Sequence, residues 1–370
     1  MEQYTNKNES IFLIRGRRKS MFGFSIFLNE GLTNERKSYI EEMSQHGFSG
    51  IFTSLHIPED DVDQYRKRLT DLGSVAKKCH LELMVDISGE ALERAGFSFD
   101  RVDELLEVGV TGLRMDYHIS NQQIAKLSRE MPIALNASTI TEMDIQELQN
   151  AEANFEHLEA WHNYYPRPET ALDKKWYHEK NLWLKSYGFT IQGFVPGDEK
   201  LRGPLFKGLP TLEEHRGTHP LAAALDLLAD TDKVYIGDSG LSKEVLDQFS
   251  FYIKEETLKL RVEAFDNQTK YVLGNHINRQ DEARDVIRSA EARFKKIPNV
   301  EALPAKDRNV GAVTIDNMNY LRYMGEIQVI KRNLPADEKV NVVGQVIEED
   351  QALIQHIRAG QKFSLESVEK

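Results

Sequence analysis

One cysteine in 370 residues, Cys79, leaves no partner for an intrachain disulfide, so the chain lacks the covalent staples of an oxidising compartment. It falls in a helical pattern and reads as a small apolar filler. Long hydrophobic runs are also missing. Nothing approaches the eighteen or so apolar residues of a spanning helix. The first twenty residues are polar apart from Ile11-Phe12-Leu13-Ile14, too short for a signal-peptide core and followed by no small-residue cleavage site. These absences predict a cytoplasmic protein with a flexible extension over residues 1–20. Positive charge is in short supply: 47 basic side chains face 59 acidic ones, a net charge of −12. Nucleic acid and anionic membrane are therefore not expected partners, whereas one local arginine cluster is enough to hold a phosphorylated small molecule. Internal repeats, low-complexity tracts and a Gly-x-Gly-x-x-Gly turn after the first strand are absent as well.

What is present is the balance of a soluble globular protein, 40% hydrophobic and 29% charged. From Phe22 short apolar runs alternate with amphipathic stretches. Strands are predicted over 22–28, 50–55, 81–86, 112–116, 132–136, 158–162, 190–195 and 233–237. Helices are predicted over 34–46, 62–78, 100–108, 121–129, 141–150, 173–186 and 220–228, with another from about 242. Eight strand-then-helix units in about 230 residues predict a (β/α)₈ TIM barrel over 21–254. A doubly wound open sheet is the competing arrangement. From about Lys254 the texture changes to a mostly antiparallel β module over 255–370. Its strands are predicted at 258–265, 270–273, 310–315, 326–330 and 340–346, with one helix at 281–295. The stretch 252–270 reads as an exposed linker.

In such a barrel the strands' carboxyl ends carry the site. Polar residues there are Asn29, Glu30, His56, Asp86, Arg114, Asp116, Asn136, His162, Asn163, Gln192 and Asp238. Each has a bland reading as a helix cap or a loop tie; together they predict a site. Asp86 and Asp116 close neighbouring strands, so they are the expected catalytic pair, two carboxylates near enough for one to hold a proton for general-acid work. The bland alternative has each cap a helix or pair with Arg114. Glu30 and Glu213 are the reserves. The long loop after the seventh strand carries Arg202 and Arg216, and Ser239 and Gly240 lie where backbone amides meet a helix start. These four are the expected phosphate contacts. Thr211 to Glu214 reads as a capping box. No lysine sits at a strand end for Schiff-base chemistry, and no His-x-His spacing supports a metal. No cofactor or metal is expected.

Trp161-His-Asn-Tyr-Tyr-Pro-Arg-Pro168, Arg202-Gly-Pro204, Gly208-Leu-Pro-Thr-Leu-Glu-Glu-His-Arg216, Gly311-Ala-Val-Thr-Ile-Asp-Asn317 and Arg322-Tyr-Met-Gly-Glu-Ile-Gln328 resemble a bacterial family historically labelled "outer surface protein". Its characterised members are 6-phospho-N-acetylmuramidases. The resemblance runs from about Met21 over nearly the whole chain. It implies a cyclophilin-like C-terminal domain and a cytoplasmic glycosidase. That enzyme splits N-acetylmuramic acid 6-phosphate from N-acetylglucosamine in cell-wall recycling, on a substrate phosphorylated during import. On that chemistry the 2-acetamido oxygen serves opposite the anomeric carbon, one aspartate orients the amide and its neighbour donates the proton. Glu30, Arg114, Asn136, His162, Asn163, Tyr165, Gln192, Glu213 and Asp238 then become expected substrate contacts, with Trp161 and Tyr164 offering sugar-stacking rings or ordinary packing. The C-terminal domain either closes over the mouth or makes the contact of a homo-oligomer. A sugar-phosphate lyase or isomerase, and a non-catalytic carbohydrate-binding protein, are the alternative functions.

Overall fold

The computed structural model describes residues 21–28, 31–55, 62–87, 89–115, 119–295 and 297–368. The expected sites Asn29, Glu30, His56 and Asp116, and the extension 1–20, lie outside them. Strands β1 (Met21–Ser25), β2 (Gly50–Ser54), β3 (Glu82–Ile87), β4 (Gly112–Met115), β5 (Ile133–Asn136), β6 (Leu158–Trp161), β7 (Thr190–Val195) and β8 (Lys233–Ile236) pair in parallel, each with the next, and β8 returns to β1. The barrel is closed. Around it run α1 (Asn34–Gln45), α2 (Val62–Lys78), α3 (Gly89–Arg94), α4 (Val102–Val108), α5 (Asn121–Ser128), α6 (Glu142–Asn150), α7 (Lys174–Ser186), α8 (Pro220–Leu227) and α9 (Lys243–Glu255).

Period-two alternation decides what fills the bore. Ile51, Leu83, Leu113, Ile133, Ile191 and Val234 point outward into the helix layer. Phe52, Met84, Ala134, Trp161, Phe194 and Tyr235 point inward and pack together. Tyr235 needs room that only glycine leaves. A Cβ on Gly23 would lie 2.3 Å from its ring, and one on Gly50 2.1 Å from its hydroxyl. On the amino-terminal side of these rings, Lys233 Nζ reaches Glu159 at 2.8 Å and Glu82 at 3.3 Å. Trp161 Nε1 donates to the same Glu159 at 2.6 Å. The bore is a packed core and not a pore.

The C-terminal module is one seven-stranded sheet in the order β10-β15-β9-β14-β12-β13-β11. Its strands are β9 (Thr257–Ala264), β10 (Gly274–Ile277), β11 (Val286–Arg288), β12 (Ala312–Asp316), β13 (Ile327–Ile330), β14 (Val340–Val346) and β15 (Lys362–Ser367). All neighbours are antiparallel except β15 and β9. Three expectations fail here. The helix at 281–295 is instead β11, paired with β13, and a short 3-10 turn at Ala292–Phe294. Its alternating charges serve local pairs such as Arg279–Asp281 and Arg284–Asp285. The strand at 270–273 is instead the end of a 3-10 turn, Asn267–Tyr271, capped by Asp266, and the two residues that lead into β10. The linker at 252–270 is absent, because α9 ends at Glu255 and β9 begins at Thr257.

Buried polar groups line the junction between the barrel and this module, and Gln248 of α9 bonds across it to β9. Asp350, fully buried, accepts from the Arg261 backbone N–H at 2.8 Å and from its guanidinium at 3.0 and 2.7 Å. His219 caps α8 through Nδ1, which accepts from Leu221 and Ala222. Its Nε2 faces Gln248 of α9 at 2.9 Å, and Gln248 donates to the Lys259 carbonyl of β9. No helix among the described residues is long and apolar enough to cross a membrane.

Candidate active site

At the carboxyl ends of the strands a cavity of about 420 Å³ opens, a size suited to a small ligand. Phe27, Leu28, Phe52, Ser54, Asp86, Arg114, His162, Asn163, Tyr164, Tyr165, Phe194 and Arg202 line it. Adjacent strands bring its polar centre together. Ser54 of β2 stands opposite Asp86 of β3, and Asp86 opposite Arg114 of β4. Arg114 Nη1 donates to Asp86 Oδ1 at 2.7 Å and Ser54 Oγ to Asp86 Oδ2 at 3.1 Å. Arg114 Nη2 donates to Asn163 Oδ1 just beyond β6. Asp86 and Arg114 are 7% and 4% exposed. A buried pair of this kind holds its geometry because separating the charges would leave each desolvated and unpaired.

A second guanidinium forms the wall. Arg202, from the loop after β7, lies 3.6 Å over the Phe27 ring and donates through Nη1 to the Tyr164 hydroxyl at 2.7 Å. It forms no ion pair among the described residues. Burial raises the Tyr164 pKa, so the phenol stays protonated and accepts this bond. Asp238 holds the loop in place: its carboxylate accepts the backbone N–H groups of Gly197, Leu209 and Arg202, each at 2.9 Å. The described lining thus carries one carboxylate and two guanidiniums, a local positive excess in a chain of net charge −12.

Several expected contacts have other work. His162 borders the cavity but is fully buried, its Nε2 2.7 Å from Asn181 Oδ1 and its ring 4.4 Å from Tyr177. Burial pushes its pKa down to about 4, so it is neutral at ordinary pH. Asn136 folds back onto the Ser138 N–H, and Gln192 donates to the Gly193 carbonyl beside it. Neither borders the cavity. Glu213 and Arg216 bind each other at 2.6 and 2.9 Å, and that contact holds the Glu213 carboxyl down to about 2. Glu213 also accepts the Ala171 N–H, while Arg216 donates to the carbonyls of Tyr165, Arg167, Lys207 and Gly208. The pair staples two loops and stays out of the cavity. Gly240 bridges Glu199, and the start of α9 beside Ser239 is occupied by Asp198, which accepts from Ser242 N and Oγ. An anion already stands where an external one was expected. The capping box at Thr211 to Glu214 is not formed either. Thr211 Oγ1 donates to the Asn163 carbonyl and accepts the Phe194 N–H, and Glu214 reaches Lys174. Glu214, His215 and Asp226 lie close enough to share a cation, and Lys174 Nζ bridges the two carboxylates at 3.1 and 2.7 Å.

Sequence reasoning missed Phe27, Phe52, Ser54 and Phe194. The signal for two of them was available, since period-two spacing puts Phe52 and Ser54 on the same face of β2.

A closed parallel barrel with a charged and aromatic pocket at the carboxyl ends of its strands, followed by a mostly-β domain, defines a (β/α)₈-barrel protein with its site on the face where that fold does chemistry. The chain belongs to the 6-phospho-N-acetylmuramidase family. The family's N-terminal model matches residues 22–251 and its C-terminal model residues 257–366. Among solved structures it is similar to a conserved protein from a locus in Enterococcus faecalis with an unknown function. That protein is 50% identical over 94% of this chain and 96% of the other, with a TM-score of 0.88. It is also similar to an uncharacterized B. cereus protein, 26% identical over 95% of this chain and 100% of the other, with a TM-score of 0.73. No curated protein matches the chain.

Proposed function

We propose that this protein is a cytoplasmic glycosidase that hydrolyses the bond between N-acetylmuramic acid 6-phosphate and N-acetylglucosamine, acting in cell-wall recycling. The observation that carries the reading is Arg202, a guanidinium on the pocket wall with no carboxylate partner among the described residues, placed beside the buried Asp86–Arg114 pair. A planar fork of donors suits phosphate oxygens, and its charge offsets the acidic field of the rest of the chain.

Asp86 Oδ1 and Oδ2 already accept from Arg114 and Ser54, which supports a role as acceptor and positioner. On this reading Asp86 receives the N–H of the 2-acetamido group and turns its carbonyl oxygen toward the anomeric carbon. That oxygen forms the new bond as the glycosidic C–O bond breaks. The proton for the leaving oxygen comes from Asp116, which follows β4 in the sequence. Water then adds at the anomeric carbon as its bond to the acetamido oxygen breaks, returns a proton to Asp116 and leaves the phosphorylated sugar with its amide restored.

The test is turnover of the phosphorylated disaccharide in H₂¹⁸O, read by mass spectrometry. One ¹⁸O at the anomeric position of the phosphorylated product supports hydrolysis. Cleavage without incorporation identifies a lyase, and no cleavage at all removes the glycosidase reading.

A further inference from the structure

Strands β13 and β14 flank β12, and both pair with it antiparallel. Residues 331–339, which join them, therefore return along the length of β12 across one face of the sheet. Leu334 marks the face, since it packs on Ala312, Ile330 and Val342. Period-two alternation puts Thr314 and Asp316 on the same face as Ala312, beneath this crossover. In register with Thr314 stand Gln328 of β13 and, beyond it, Arg288 of β11.

Thr314 is fully buried and Asp316 is 4% exposed. Neither Thr314 Oγ1 nor Asp316 Oδ1 has a hydrogen-bond partner among the described residues. Folding takes such groups out of water at a cost and normally pairs them. Two of them, neighbours on one strand face, point to a ligand. The way in is from the side of β11, where Arg288, Gln328 and Leu334 are half-buried. Arg288 Nε donates to Glu326 Oε1 at 2.6 Å, and Gln328 Nε2 lies 3.4 Å from the same oxygen. None of these residues borders the barrel-mouth cavity.

The lining selects the class of ligand. A free cation would meet Arg288, and an anion would meet Glu326. An apolar group would leave Thr314 and Asp316 unpaired. A neutral polyol suits all of them, because hydroxyls both donate and accept, as do the Thr314 hydroxyl and the Gln328 carboxamide, and the Asp316 carboxyl completes the set. Val342, Ile330 and Leu334 supply apolar surface for the C–H face of a pyranose ring.

We propose that the slot beneath the 331–339 crossover binds a neutral monosaccharide unit, which gives the C-terminal domain a glycan site of its own, separate from the barrel mouth. The inference does not depend on the glycosidase reading. It gives a use to two strings singled out in the sequence, 311–317 and 322–328, which supply Thr314, Asp316, Glu326 and Gln328.

The test titrates glucose and N-acetylglucosamine into the full chain labelled with ¹³C at its leucine and valine methyls, followed by NMR. At least one of the two sugars should shift the Leu334 and Val342 methyls saturably, in the millimolar range. Thr314→Val keeps the side chain's volume and removes its hydroxyl, so it should weaken that binding about three- to tenfold, the scale of one hydrogen bond between neutral groups. Gln328→Ala, at the half-buried rim, should do the same and carries the test if Thr314→Val fails to fold. Ammonium and inorganic phosphate should leave both methyls unmoved. The inference is overturned if neither sugar moves these methyls up to the limit of its solubility. Unchanged affinity in either folded variant, or displacement of the sugar by ammonium or phosphate, overturns it as well.

Discussion

Replacing Arg202 by alanine tests the proposed phosphate contact with little collateral damage. The loop that carries it is anchored through the Arg202 backbone N–H to Asp238, not through the side chain, and the Gly197 and Leu209 N–H groups share that anchor. The truncation removes the 2.7 Å bond to Tyr164 and the stacking on Phe27, which are local losses. A charge-assisted bond to phosphate contributes roughly 1.5–3 kcal/mol. At about 1.4 kcal/mol per factor of ten, kcat/KM for the phosphorylated disaccharide should fall about 10- to 100-fold. Arg202→Lys should fall between, because an ammonium keeps the charge but not the fork. The unphosphorylated disaccharide should be a poor substrate of the parent and nearly indifferent to the change. The assay is kcat/KM for both disaccharides on the parent and both variants. Equal slowing of the two substrates by Arg202→Ala would refute the reasoning and place the phosphate elsewhere.

Asp86→Asn and Asp116→Asn should each lower kcat by at least about a hundredfold with much smaller changes in KM; near-normal turnover in both removes the pair from the mechanism. Asp316, 4% exposed and pushed up to about 7 by burial, with Glu326 and Asp337 adding to the shift, is protonated in the folded chain where its unfolded counterpart has ionised. The stability it contributes is therefore complete below about pH 4 and lost as pH rises to about 7. Asp316→Asn should raise the melting temperature at pH 8 and leave it nearly unchanged at pH 5, and an equal change at both pH values would contradict this. Asp350→Ala leaves the Arg261 guanidinium unpaired at the junction and should cost about 3–5 kcal/mol. An unaltered urea midpoint would show that the contact is not stabilising.

The barrel was legible because each of its units is local: an apolar run, a turn and an amphipathic helix, repeated in order. The C-terminal sheet was less so. β11 is three residues long, and only its pairing with β13, some forty residues away, makes it a strand. β15 at the far end of the chain pairs with β9 and β10, which no local window reports. The site shows the same division. Asp86 and Arg114 stand at strand ends and were found by that rule, and their mutual pairing was among the readings considered. Arg216, Glu213 and Asp238 looked equally functional in the sequence, yet loop closure claims them. A loop that must fold back on itself needs buried charges of its own, and composition does not distinguish these from the ones left facing a ligand.

Tyr235, seated over Gly23 and Gly50, makes the cavity a dead end. Whatever enters by the mouth must leave by it. For a two-part substrate this imposes an order of departure, since the portion nearer the rim blocks the portion seated on the floor. On the proposed reaction, with Arg202 holding the phosphorylated sugar inside the pocket, the unphosphorylated sugar should leave first and the phosphorylated one last. The last product to leave occupies the free enzyme, so it should compete with substrate, whereas the first should not. A cell that lets the phosphorylated product accumulate would then slow this protein with no separate regulatory site, and the rate of the following step would set the pace of both.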